Sequence, residues 1–105
     1  MQPKELADLE DIRKAIQELR SYTSGLSLAE YLADGRTRRA VERCLEIAGE
    51  ALIRIRPSNE SFLNDLPGAS KSIELRNIIA HEYGDVDDSI VWKSLRNTYP
   101  HLWMI

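Results

Sequence analysis

Residues 36–56 read Arg-Thr-Arg-Arg-Ala-Val-Glu-Arg-Cys-Leu-Glu-Ile-Ala-Gly-Glu-Ala-Leu-Ile-Arg-Ile-Arg. Ala40, Val41, Cys44, Leu45, Ile47, Ala48, Leu52 and Ile55 recur at three- and four-residue steps, which winds a wide apolar stripe onto one side of a helix. A stripe this wide needs other helices to cover it. Ala48, Gly49 and Ala51 are small enough to let one of them approach closely, although Gly49 weakens the helix by about 1 kcal/mol. The stretch therefore predicts an all-α protein built by helix packing.

Working outward, Leu6, Leu9, Ile12, Ile16, Leu19 and Tyr22 predict a first helix over residues 3–23, with Pro3 in its first turn and Ser24-Gly25 as its stop. Ser27-Leu28-Ala29-Glu30 is a capping box opening a short helix to about Asp34, and Gly35 breaks or bends the chain. Pro57-Ser58-Asn59-Glu60 is a stop signal after the long helix. The loop it predicts, to Gly68, carries Phe62, Leu63 and Leu66 to tuck under the bundle. A further helix follows from about Ala69 to Tyr83, ending at Gly84. Asp85, Asp87 and Asp88 favour the start of a last helix over about 87–98, which holds Ile90, Val91, Trp92 and Leu95. No segment alternates with period two. The expected architecture is an up-and-down four-helix bundle with an extra short helix, one domain over residues 1–105.

Composition sets the outer limits. The chain has 43% hydrophobic and 30% charged residues, the balance of a soluble globular protein. No apolar run approaches a membrane span, and Met1-Gln2-Pro3-Lys4-Glu5 lacks a secretory pattern, so a cytoplasmic location with no membrane partner is expected. Cys44 stands alone among apolar residues and reads as a structural thiol. The net charge of −3 argues against a protein that coats nucleic acid, but a cleavage site needs only local positive charge. Arg36, Arg38, Arg39, Arg43, Arg54 and Arg56 offer it, or else line a solvated helix face.

The chemistry concentrates in Arg76-Asn77-Ile78-Ile79-Ala80-His81-Glu82-Tyr83. With Arg76 at 0° on a helical wheel, Asn77 falls at about 100°, His81 at about 140° and Tyr83 at about 340°. Leu75, Ile78 and Ile79 occupy the opposite side, so the four polar groups point away from the helix's own core face. For an RNA substrate, His81 suits the role of base or acid. Arg76 can grip a phosphate with parallel hydrogen bonds and stabilise charge developing on its oxygens. Asn77 can orient His81 from one turn away or hold the phosphate. One chain has a single motif histidine, and a two-fold dimer would bring two to one cleft. The plainer alternative is a satisfied interface histidine beside an arginine paired with Glu46 or Glu50, and for Tyr83 an amphipathic interface residue.

The Arg-x4-His-x-Tyr pattern with Asn77 directly after Arg76 resembles the signature of the HEPN superfamily, and within it the HepT-type toxins that pair with minimal nucleotidyltransferase antitoxins. Residues 40–51 resemble the central helix of the same subfamily, Trp92 stands where that family often has one, and the similarity covers roughly residues 5–95. The resemblance implies a homodimeric, metal-independent ribonuclease toxin with the motif at the dimer interface. Arg76 and His81 are then catalytic and Asn77 supports them. It also implies an antitoxin partner that transfers AMP onto Tyr83, where the added negative charge would compete for Arg76. The competing expectation is a non-catalytic helical adaptor that binds a nucleotidyltransferase.

Other chemistry is poorly supported. Glu82, Asp85, Asp87 and Asp88 match no standard ligand spacing, so neither a metal nor another cofactor is expected. His101 reads as packing in the apolar tail that ends Trp103-Met104-Ile105. No Ser-His-Asp arrangement and no glycine-rich phosphate loop is readable, so any nucleotide chemistry must come from a partner.

Overall fold

Pro3 starts the first helix of the computed structural model, α1 (Pro3–Thr23), and the structure describes residues 2–81 and 86–98. Gly25 turns the chain with a φ of 77°. The capping box then forms as expected: the Glu30 amide donates to Ser27 Oγ at 3.1 Å and the Ser27 amide to Glu30 Oε1 at 3.0 Å. It opens α2 (Leu28–Ala33). Asp34 caps α3 (Gly35–Asp65) by accepting from the Thr37 amide at 3.1 Å, so Gly35 begins a helix rather than merely breaking one. α4 (Ala69–His81) and α5 (Asp88–Thr98) complete the order. Asp87 Oδ1 caps α5, accepting from the Ser89 amide at 3.0 Å and the Ser89 hydroxyl at 2.7 Å.

α3 packs along both α1 and α4, and α5 closes the bundle beside α2 and α4. The main core gathers Leu19, Val41, Cys44, Leu45, Ala48, Leu75, Ile79, Val91 and Leu95, with Tyr31 stacked on Trp92 at 4.9 Å between ring centroids. A second cluster joins Leu52, Ile55, Leu63 and Ala69, with Phe62 and Leu66 packed against it. The all-α reading holds: all five elements among the described residues are helices. None of them is long and apolar enough to cross a membrane.

Two local expectations are corrected. Residues 57–65 are not a loop, because the helix resumes beyond the stop signal. Asn59 alone leaves helical space, at φ −144° and ψ 48°. Pro57 removes one backbone donor, and Glu5 of α1 holds the resulting kink by accepting from Ser58 Oγ at 2.9 Å and from the side-chain Nδ2 of Asn59. The buried face of α1 is also rotated from the apolar stripe. Leu6 and Tyr22 are exposed, while Glu5 and Asp8 are buried. The reason is again α3, whose Arg54 Nε donates to Asp8 Oδ1 at 2.9 Å. A buried carboxylate is tolerated where a charged partner and hydrogen bonds meet it.

One polar contact ties α5 to α3. Asp88 pairs with Arg38 at 3.3 Å, and Arg38 also donates to the Leu32 carbonyl. Burial, then a hydrogen bond and repulsion from Asp88, push the Glu42 carboxyl from its ordinary 4.5 up to about 7. The folded protein thus holds this proton more tightly than the unfolded chain. The associated stability is fully present below about pH 4.5 and is lost as pH rises through about 7. Glu42→Gln should therefore raise the melting temperature at pH 8 and leave it nearly unchanged at pH 5. The gain is on the order of 1 kcal/mol, because Glu42 is partly exposed and solvent screens it. Melts at the two pH values check it, and an equal shift at both would refute the upward shift of the Glu42 carboxyl.

Candidate active site

The core face of α4 is centred among Ala69, Ser72, Leu75 and Ile79, all buried. At 100° per residue, Arg76 lies only about 50° from that centre, Ile78 about 110°, Asn77 about 150° and His81 about 170°. This corrects the expected division of the helix. Arg76 flanks the core and is half-buried, whereas Asn77 and His81 are exposed. Ile78 is not a core residue; with Ser70, Ile73, Glu74 and Asn77 it lines a shallow groove of about 430 Å³.

Arg76 reaches the surface by crossing α3 at Gly49. A methyl group added there would stand 2.3 Å from Arg76 Cβ and 2.8 Å from Cγ, so the arginine stem fills the space a side chain would need. Arg76 Nη1 donates to Asn77 Oδ1 at 3.1 Å, and Nη2 lies 3.9 Å from Glu50 Oε1. Nε is buried and has no hydrogen-bond partner among the described residues. Asn77 thus has its carbonyl oxygen engaged with Arg76. Its NH₂ group keeps its donors. His81 is the last residue of α4, about 7.5 Å along the axis from Arg76, so the cation and the imidazole occupy one end of one helix.

Tyr83 lies outside the described residues, as do Glu82, Gly84, Asp85 and the tail from residue 99, including His101. Among the described residues no group of three or more His, Cys, Asp or Glu side chains is placed to hold a metal ion. Burial and then Glu18 push the Cys44 thiol up to about 11, the direction of an unreactive structural thiol. The arginines of α3 divide. Arg38 pairs with Asp88, Arg54 with Asp8 and Asp11, and Arg43 with Glu46 at 3.7 Å. Arg36, Arg39 and Arg56 are exposed. Sequence reasoning missed the Glu42–Asp88 pair. Its one local signal was Arg38, a turn before Glu42 on the same helix; the second acid comes from α5.

A family described as "Ribonuclease HepT-like" matches residues 12–103. The chain is 32% identical over 94 residues to the "Probable ribonuclease HepT" of Thermococcus cleftensis, covering 90% of this chain and 84% of that protein. It is 31% identical over 98 residues to "Putative RNase MJ1380" of Methanocaldococcus jannaschii, covering 91% and 87% respectively. A second protein of that organism, "Putative RNase MJ0127", is 30% identical over 97 residues, covering 90% and 78%. No solved structure matches the chain significantly.

Proposed function

The chain belongs to the HepT-like ribonuclease family, and from that premise we propose that it is a metal-independent endoribonuclease acting as a two-fold dimer. It is the toxin half of a pair whose nucleotidyltransferase antitoxin silences it by adding AMP to Tyr83. The reading treats residues 1–105 as one catalytic domain. The observation that carries it is the Arg76 guanidinium, braced by Asn77 and Glu50 on the same helix that ends in an exposed His81. A motif sunk in the core would have favoured the adaptor reading instead.

In the reaction, the ribose 2′-oxygen bonds to phosphorus and the P–O5′ bond breaks. One imidazole takes the 2′-hydroxyl proton and a protonated imidazole gives one to the departing 5′-oxygen. The products are a 2′,3′-cyclic phosphate and a 5′-hydroxyl. Arg76 stabilises the charge that builds on the non-bridging oxygens. His81 supplies one imidazole per chain, and the second copy supplies the other. AMP on Tyr83 would place a phosphodiester on the motif and compete for Arg76.

The test is cleavage of labelled RNA in excess EDTA, with the product ends identified. Cyclic phosphate ends at an undiminished rate are expected. Incubation with the nucleotidyltransferase and ATP should add AMP to the wild type and stop cleavage, while Tyr83→Phe takes up none. A wild type that binds the nucleotidyltransferase yet cuts no RNA class would replace this reading with the adaptor.

A further inference from the structure

We propose that Gly49 and Glu50 are positioning residues for Arg76: the bare backbone of α3 at Gly49 seats the arginine stem, and the Glu50 carboxylate beside it turns the guanidinium's outer edge toward the phosphate. The inference rests on the reading of Arg76 as the phosphate-binding cation.

Three observations carry it. The stem has no room to swing toward α3, because its Cβ and Cγ already occupy the place of a residue-49 side chain. Nε is buried, so that edge of the guanidinium faces the fold and RNA can meet only the Nη edge. The two Nη nitrogens are then held from two different helices, Nη1 by Asn77 of α4 at 3.1 Å and Nη2 by Glu50 of α3 at 3.9 Å. The Glu50 distance is in ion-pair range and beyond a good hydrogen bond, so the carboxylate acts through its charge. Each Nη carries two N–H donors. Asn77 takes one from Nη1, which leaves at least one on each nitrogen for two phosphate oxygens.

Glu50 has two opposing effects, and kinetics separates them. Its charge orients Arg76, which raises kcat, and it repels RNA, which raises KM. In Glu50→Gln, of nearly the same shape, kcat should fall roughly tenfold because a slightly misplaced group loses much of its effect. KM for RNA should fall about threefold at low salt, and that change should vanish as salt screens it. A purely structural role would lower the active fraction and the melting temperature while leaving KM alone. The Arg76 Nε–H proton gives a readout independent of cleavage. Its exchange with water, followed by NMR, should be slow in the wild type and roughly tenfold faster in Glu50→Gln as the buried edge is released.

The inference is overturned if Nε–H exchange is the same in both proteins. It is equally overturned if a wild type that cuts RNA shows the same kcat and KM as Glu50→Gln. Should the wild type cut no RNA, the functional reading fails, and the exchange measurement still decides whether Glu50 sets the guanidinium.

Discussion

Replacing His81 with alanine should lower RNA cleavage by roughly a thousandfold, within the range for loss of general acid–base catalysis. The size of the expected loss follows from the proposed two-fold symmetry. In a dimer of identical chains the same substitution removes both base and acid, and groups acting as a unit do not lose activity additively. The fold should barely notice. His81 is exposed at the end of α4, and surface changes of that kind stay within about 0.5 kcal/mol. A melt superimposed on the wild type, with cleavage gone, is therefore the expected pair of results. Mixing sharpens the assignment. Dimers with one wild-type and one His81→Ala chain should be nearly inactive if each cleavage event needs both imidazoles. Half the wild-type rate in such dimers would show that each chain works alone and would remove the two-fold mechanism.

Gly49→Ala should be strongly destabilising for so small a substitution. Alanine ordinarily improves a helix over glycine by about 1 kcal/mol. Here the added methyl meets the Cβ and Cγ of Arg76 and stands 3.1 Å from the Ser72 carbonyl oxygen. Those atoms belong to the α4 backbone or lie next to it, so relief requires moving α4 off α3. Overpacking of this kind costs about 1–3 kcal/mol, and the rigidity of the obstacle puts Gly49 at the upper end. A net loss of about 2 kcal/mol would lower the melting temperature by roughly 10 °C in a domain of this size. Gly35→Ala is the internal control. Its methyl would meet the Arg39 Nη1 tip at 3.0 Å, and a flexible side-chain end moves aside at little cost. Gly35→Ala should melt at or slightly above the wild type. If Gly49→Ala does the same, α3 and α4 do not cross as closely as described.

Helix periods and caps were readable because both are local. The stripe of residues 40–55, the Ser27–Glu30 box and the Asp87 cap depend on atoms within a turn of each other, so their residues suffice. The clustering of Arg76, Asn77 and His81 near one helix end was legible for the same reason. The face of α4 on which Arg76 sits was not. A helical wheel placed it with the polar residues, but the core reaches round to it because Gly49 leaves a gap there.

The same distinction separates the rest. The sequence by itself determined the helical class, most helix boundaries and the residue types gathered at the candidate site, since i to i+4 hydrogen bonds and side-chain period are short-range properties. Tertiary structure alone decided that Glu5 and Asp8 turn inward to meet Ser58, Asn59 and Arg54, and that the helix resumes past Pro57. It also decided that Glu42 meets Asp88 of α5, and that Glu50 rather than Glu46, the two partners the sequence offered, pairs with Arg76. Each of these joins groups far apart in the chain. A buried charge declares its partner only when packing removes the water that would otherwise have solvated it.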